Sequence, residues 1–155
     1  MDVRIFVFLH VATIFTAVAA SLGPAYLLQR IARSADVPTI RRVFALALPI
    51  GNAIGPLFGL GAALGIVAIF TNGLNPFAPF LLIAYLMFVL ATITGITING
   101  PWQRRVTALA AESPDSAASP ELTAALNDRR MKWIDWFDRL IILAFVFDMI
   151  VKPFT

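Results

Sequence analysis

A single histidine inside an apolar stretch is the residue of this chain best suited to chemistry. His10 is the only histidine in the 155-residue sequence. It lies about seven residues from the start of the apolar stretch, or roughly 10 Å of helix at 1.5 Å per residue. An ionisable side chain at that depth in a membrane is costly and marks a candidate functional site.

The residues around His10 indicate which way its side chain points. Small and polar residues share its helical face: Thr13, Ala17, Ser21 and Pro24. Large side chains lie on the other face: Phe8, Phe15, Leu22 and Tyr26. His10 is therefore expected to point into a helix bundle, and three roles remain open. It could hydrogen-bond to a threonine or a helix carbonyl and join two helices, ligate haem or a metal, or transfer protons.

Other side chains could complete a site with His10. Met87 and Met149 could each supply a thioether as the second axial ligand of haem iron, although both also suit an apolar core. Asp148 could pair with Lys152, four residues later, or hydrogen-bond to His10 and fix its tautomer. Because the chain has one histidine, it cannot supply two histidine ligands to one haem.

The composition excludes several kinds of site and points to lipid. The absence of cysteine excludes disulfides, thiolate metal sites and cysteine nucleophiles. No Walker loop, dinucleotide fingerprint, zincin helix or nucleophile elbow is present. Hydrophobic residues make up 59% of the chain and charged residues 14%, against about 45–50% and 25% in globular domains. A chain of this size cannot bury so much apolar surface in water.

Four apolar stretches are long enough to cross a bilayer, which takes about 20 residues. We place the spans at residues 3–28, 43–70, 77–98 and 134–151. The first is interpreted as a retained helix, although Ala17-Val18-Ala19 also fits a signal-peptide cleavage pattern, and Gly23-Pro24 is expected to bend or end its last turns. The predicted fold is all-α, a single antiparallel four-helix membrane bundle.

The connections between the spans follow from turn and capping residues. Asn99-Gly100-Pro101 is expected to end the third helix. Residues 111–120, rich in alanine, serine and proline, are predicted to be a mobile loop. Ser119-Pro120-Glu121 is typical of a helix start. That helix is expected to continue through Asn127 into the fourth span, so that the fourth helix extends into the cytoplasm.

Small and polar residues in the spans are interpreted as contacts between helices. The second span carries glycines at a spacing that lets helices approach closely: Gly51, Gly55, Gly59, Gly61 and Gly65. The last two lie at the depth expected for His10, where they leave room for a close helix contact or for a flat ligand. Asn52 and Asn99 are interpreted as interhelical hydrogen-bonding residues.

The basic residues predict the orientation of the chain. Nine of the twelve lie in two clusters beside apolar spans: Arg30, Arg33, Arg41 and Arg42, and then Arg104, Arg105, Arg129, Arg130 and Lys132. Because basic loops stay in the cytoplasm, both termini are predicted to be outside. This distribution is typical of contact with anionic lipid and not of nucleic-acid binding. Trp133 and Trp136 fit an aromatic belt at the membrane surface.

The first span also resembles a known superfamily. Phe8-Leu9-His10-Val11-Ala12, followed by Gly23-Pro24, is similar to the start of small four-span bacterial membrane proteins of unassigned function. These are related to the copper-resistance D protein and to the haem-dependent J-type protoporphyrinogen oxidase. The resemblance implies a haem-binding role for His10. It does not extend to the oxidase activity, for which a lysine matters, because Lys132 and Lys152 lie at span boundaries.

Together these features predict a multi-pass protein of the bacterial cytoplasmic membrane. Its expected role is to bind a cofactor or hydrophobic ligand near the outer leaflet, with haem at His10 as the candidate. The alternative is a non-catalytic accessory or assembly subunit that associates with copies of itself or with a larger membrane complex. A channel or transporter is disfavoured because the spans hold too few charges to line an ion path.

Overall fold

The computed structural model describes residues 4–34 and 36–152, and this part of the chain is helical and has no strand. Its α-helices are α1 (Arg4–Ser34), α2 (Val37–Thr71), α3 (Pro79–Thr94), α4 (Gly100–Glu112), α5 (Pro120–Leu126) and α6 (Arg129–Val151). A π-helical turn, Gly95–Asn99, joins α3 to α4. The all-α prediction is confirmed.

Three helical stretches of this described part are long and apolar enough to cross a membrane. They are Arg4–Leu28, Val37–Thr71 and Pro79–Glu112. The fourth predicted span lies in α6, which is not among them. Charged side chains interrupt α6: Asp135, Asp138, Arg139 and Asp148. A crossing by α6 therefore stays a prediction.

The helix starts reflect the capping residues of the sequence. Asp36 caps α2, where its carboxylate accepts a hydrogen bond from the Thr39 N–H at 2.8 Å. Hydrogen bonds with Thr39 hold the pKa of Asp36 below its usual value. Ser119 caps α5 by accepting from the Leu122 N–H at 3.1 Å. The predicted helix start at Ser119-Pro120-Glu121 is confirmed.

The predicted end of the third helix at Asn99-Gly100-Pro101 is wrong. The chain stays helical from α3 through the π turn into α4. Proline has no N–H, and in an α-helix its ring clashes with the carbonyl four residues earlier. The wider hydrogen-bonding pattern of a π turn, directly before Pro101, relieves that clash without ending the helix. Of the bend or end predicted at Gly23-Pro24, the end is wrong, because α1 runs on to Ser34; the bend stays a prediction.

The predicted continuity between the helix that starts at Ser119 and the fourth span is also wrong. The chain leaves the helical conformation at Asn127, and Asp128 caps a new helix by accepting from the Arg130 N–H at 2.8 Å. The break lets α5 fold back on α4: Trp102 Nε1–H donates to the Ala125 carbonyl at 3.0 Å. Packing against α4 thus decides where this helix ends.

The helices pack as antiparallel neighbours, with the best-buried core at one end of the molecule. α1 packs along α2, α3 along α6, and α4 against α2 and α5. We call the cap the part formed by α4, α5 and the adjoining ends of α1 and α2. Its buried core consists of Leu28, Ile40, Phe44, Ala47, Val106, Ala110, Leu122 and Ala125. The burial of Leu28, beyond Pro24, accounts for the continuation of α1.

Arg41 fastens the connection between α4 and α5 to α2. Its guanidinium donates to the carbonyls of Ala110 and Ser113 at 3.1 and 2.9 Å, and it pairs with Asp115 at 3.0 Å. The first residues of the loop predicted at 111–120 belong to α4, and residues 113–119 lie outside helices. The predicted mobility of this loop stays a prediction.

Candidate functional site

His10 forms a hydrogen bond between the first two helices. Its ring Nδ1 lies 2.7 Å from the carbonyl oxygen of Gly61 in α2, and the side chain is half-buried. Because a carbonyl can only accept, Nδ1 carries the proton and donates it. The contact agrees with one of the roles expected from the sequence, a hydrogen bond from His10 to a helix carbonyl.

Two glycines of α2 make this close approach feasible. A β-carbon at Gly65 would lie 2.9 Å from both Cε1 and Nδ1 of His10, and one at Gly61 would clash with the side chain of Ile14. Ile14, which follows His10 in α1, thus contacts Gly61, which precedes Gly65 in α2. This order shows that α1 and α2 are antiparallel. Gly61 and Gly65 are packing glycines at the depth of His10, as predicted.

The other three glycines of the predicted stripe behave differently. A β-carbon at Gly51 would lie 3.0 Å from Oε1 of Gln103 in α4. At Gly55 and Gly59 a β-carbon would meet nothing within 4 Å, and both residues are exposed. The prediction that Gly55 and Gly59 pack against another helix of this chain is therefore wrong. The reason is that α4 contacts α2 closer to its N-terminus, near Gly51 and Arg41, and that α1 contacts α2 on the face of Gly61 and Gly65.

The hydrogen bond of His10 also defines which ring nitrogen could bind a ligand. In the neutral imidazole, a proton on Nδ1 leaves a lone pair on Nε2. Metal-binding histidines commonly have this arrangement: one ring nitrogen binds the metal, and the other donates to a carbonyl, which orients the ring. The donor chemistry of His10 therefore fits haem iron. The space at Gly65 is filled by the imidazole itself, so a flat ligand would have to approach from the Nε2 side of the ring.

The structure does not assemble the remaining predicted ligands around His10. Met87 is buried in α3 and Met149 is half-buried in α6, and these two helices pack against each other. His10 packs against α2, and Thr13 is half-buried in α1. Within residues 4–34 and 36–152, no group of three histidine or acidic side chains could hold a metal ion.

Asp148 is a buried carboxyl group with no hydrogen-bond partner. Its exposed fraction is 2%, and neither carboxylate oxygen accepts or donates a hydrogen bond. The backbone N–H of Lys152 donates to the backbone carbonyl of Asp148, and the Lys152 ammonium lies 5.8 Å from the ring centre of Phe80. Thus the carboxylate of Asp148 hydrogen-bonds to neither Lys152 nor His10, contrary to both expectations.

A second polar centre, which the sequence analysis missed, joins α6 to the π turn. Asp138 accepts hydrogen bonds from the Thr94 hydroxyl at 2.9 Å and from the Asn99 amide at 2.6 Å. We call these three residues the Asp138 cluster. The interpretation of Asn99 as an interhelical residue is confirmed, whereas Asn52 is exposed. An acidic residue within an apolar stretch was the available signal for Asp138.

The π turn explains how one carboxylate reaches both partners. Thr94 and Asn99 are five residues apart, and at about 100° per residue an α-helix would place them about 140° apart. A π turn bonds residues five apart and brings such positions closer to one face. Unusual turns of this kind are frequent at functional sites.

Next to the Asp138 cluster, Arg139 forms an ion pair within α6 and a cation–π contact with α1. Arg139 pairs with Asp135, which lies one turn earlier on the same face of α6. The Arg139 guanidinium also lies 5.8 Å from the ring centre of Tyr26 in α1 and 5.7 Å from that of Trp136. Neutralisation of Asp135 and Arg139 lowers the cost of placing this part of α6 in lipid.

Comparison with known proteins adds no relative. No protein-family model, curated protein or solved structure matches the chain.

Proposed function

We propose that this chain is a small multi-span membrane protein that binds a hydrophobic cofactor through Nε2 of His10, with haem as the candidate. The observation that carries the proposal is the hydrogen bond from Nδ1 to the Gly61 carbonyl. This bond holds the ring orientation and directs the lone pair of Nε2 away from the bond. Haem bound there would supply redox or oxygen chemistry, which the protein's own side chains lack.

The residues of this chain would do two things for such a ligand. The Gly61 carbonyl accepts a hydrogen bond from Nδ1–H of His10, which strengthens the imidazole as an electron donor. Gly65 lets the ring lie against α2 without a clash. A second axial ligand would come from water or another chain, since Met87 and Met149 lie in the α3–α6 pair.

The proposal includes four spans with both termini outside a bacterial cytoplasmic membrane. Three apolar helices support it, as do the hydrogen-bond and ion-pair partners of Asp135, Asp138 and Arg139 in α6. The two basic clusters would then face the cytoplasm.

The test is the visible spectrum of the protein purified in mild detergent after expression with ample haem. We expect a Soret band that His10→Ala abolishes and that added imidazole partly restores. Met87→Leu and Met149→Leu serve as matched controls and should keep the band. A colourless wild-type protein would exclude haem, and a band retained in His10→Ala would exclude His10 as the ligand.

One observation favours an accessory subunit as the second candidate. Gly55 and Gly59 form an open, exposed groove on α2, the type of surface that packs against a helix of another membrane protein. In that case His10 only joins α1 to α2. The protein would then co-purify with partner chains, carry no chromophore, and lose those partners in Gly55→Leu.

A further inference from the structure

Four exposed arginines lie close to the point where the cap meets the apolar helices. They are Arg104 and Arg105 in α4, and Arg129 and Arg130 at the start of α6. We call these four residues the collar. Among the ion pairs between described residues are Arg41–Asp115 and Arg139–Asp135. None of the four collar arginines forms an ion pair with a described residue.

Contacts between the helices place the collar arginines at a similar height along the helix axes, close to that of Gly51 in α2. Gln103, next to Arg104, lies beside Gly51 of α2. Trp102 donates to the Ala125 carbonyl near the end of α5, and Arg129 follows Ala125 by four residues. Both pairs of arginines therefore lie near the Gly51 level.

The collar lies one membrane thickness from the opposite ends of the helices. From Gly51 to the end of α2 at Thr71 the helix rises about 30 Å at 1.5 Å per residue. From Arg130 to the end of α6 at Val151 it rises about 32 Å by the same measure. The hydrocarbon core of a bilayer is about 30 Å thick. A membrane that covers the apolar helices thus brings its phosphate groups to the collar.

Two tryptophans mark the same boundary. Trp133 is 76% exposed and Trp136 is 60% exposed, and both follow Arg130 within two turns on α6. Tryptophan is enriched at the level of lipid headgroups, where its apolar ring and polar N–H are both accommodated. Large exposed rings directly beside unpaired arginines favour lipid over a protein partner for this surface.

We propose that the collar binds the phosphate groups of anionic phospholipids. The planar guanidinium of arginine donates two parallel hydrogen bonds to one phosphate, which gives a defined site rather than diffuse attraction. The net negative charge of the lipid complements arginines that have no carboxylate partner. This inference rests on the membrane location in the proposed function and is independent of His10.

The test measures tryptophan quenching in vesicles of phosphatidylcholine that contain brominated phosphatidylglycerol or brominated phosphatidylcholine. We expect wild-type protein to prefer phosphatidylglycerol by about fivefold or more, the factor that corresponds to about 1 kcal/mol for one basic residue at the surface. Added salt should weaken the preference, and inorganic phosphate at the same ionic strength should not compete further. Equal quenching by both lipids overturns the proposal.

Variants locate the preference in the collar. Arg129→Gln should reduce it, and the double variant Arg129→Gln/Arg130→Gln should reduce it further. Arg42→Gln is the matched control: Arg42 is exposed, but it lies about 14 Å of helix from Gly51, inside the cap. An equal loss in Arg42→Gln overturns the proposal. Arg104→Gln/Arg105→Gln tests the same site if the first pair does not fold. A protein outside the membrane would be quenched by neither lipid, which contradicts the proposed location instead.

Discussion

At the residue scale, the contact between His10 and Gly65 makes a sharp prediction about stability. A methyl group at Gly65 would approach the imidazole to 2.9 Å, so the ring must move and weaken its bond to Gly61. We expect Gly65→Ala to lower the free energy of unfolding by about 1–3 kcal/mol, as overpacking does elsewhere. Thermal or denaturant unfolding in mild detergent measures this change.

Gly59→Ala is the matched control for that variant. It is the same substitution on the same helix, but its β-carbon would meet nothing within 4 Å. Alanine is a better helix former than glycine, so we expect stability to stay unchanged or rise by up to about 1 kcal/mol. If both variants behave alike, the close contact between α1 and α2 at His10 is contradicted.

In the Asp138 cluster, the hydrogen bond between Asp138 of α6 and Asn99 of the π turn can be measured directly. We expect a double-mutant cycle of Asp138→Ala and Asn99→Ala to give a coupling energy of about 0.6–1.7 kcal/mol, the range found for hydrogen bonds between membrane helices. The same cycle with Thr97→Val should give a coupling near zero, because the Thr97 hydroxyl donates to the Ile93 carbonyl of its own helix. Equal couplings in the two cycles would contradict the bond.

These two contacts differ in how far the sequence predicts them. The contact of His10 with Gly61 and Gly65 follows from depth, since residues equally far from the ends of two antiparallel helices must meet. The contact of Asp138 with Thr94 and Asn99 does not follow in this way. Regular α-helical periodicity places Thr94 and Asn99 on different faces, and only the π turn brings them together.

At the element scale, the π turn is equivalent to one extra residue in an otherwise continuous α-helix. Deletion of the exposed residue Ile96 should restore a regular α-helix. The buried faces of α3 and α4 should keep their present orientation relative to each other. Pro101→Ala must accompany the deletion, because proline in a regular helix costs about 3 kcal/mol. We expect the free energy of unfolding of this variant to lie within about 1 kcal/mol of that of Pro101→Ala alone, since the effects of surface changes on stability are small.

Deletion of Val89 in the same Pro101→Ala background is the control. Val89 is also exposed, but it lies in regular helix, so its removal rotates the two flanking parts by about 100°. Buried residues such as Phe80 and Ala84 would then no longer face α6 together with Thr94. We expect a large loss of stability in detergent. Equal losses for the two deletions would contradict the role assigned to the π turn.

The helix boundaries show where sequence reasoning about elements succeeds. The start of α5 at Ser119 is encoded locally, by a side-chain cap and a proline within the first turn. The end of α5 at Asn127 is encoded locally only in part: Asp128 caps the next helix, but the sequence on both sides favours helix. The contact of Trp102 with Ala125 holds α5 against α4, and this tertiary contact cannot be inferred from local sequence.

At the scale of the whole molecule, the number of spans depends on α6. The sequence predicts a crossing from length and overall apolarity, yet α6 contains Asp135, Asp138, Arg139 and Asp148. The structure offers partners for the first three, and Asp148 is shielded by burial. A helix whose polar groups face its neighbours can cross a membrane despite its charges. We therefore expect α6 to be the fourth span.

The absence of cysteine in the chain makes this prediction testable by labelling. Single cysteines at Asn75, Ser116 and Lys152, all exposed, report the turn after α2, the cap and the end of α6. With four spans and the cap in the cytoplasm, an impermeant maleimide should label Asn75→Cys and Lys152→Cys in intact cells, and Ser116→Cys only after lysis. If Lys152→Cys were instead labelled only after lysis, like Ser116→Cys, α6 would not cross the membrane and the chain would have three spans. The reverse pattern, with Ser116→Cys labelled first, would invert the orientation and place the arginine collar at the outer surface.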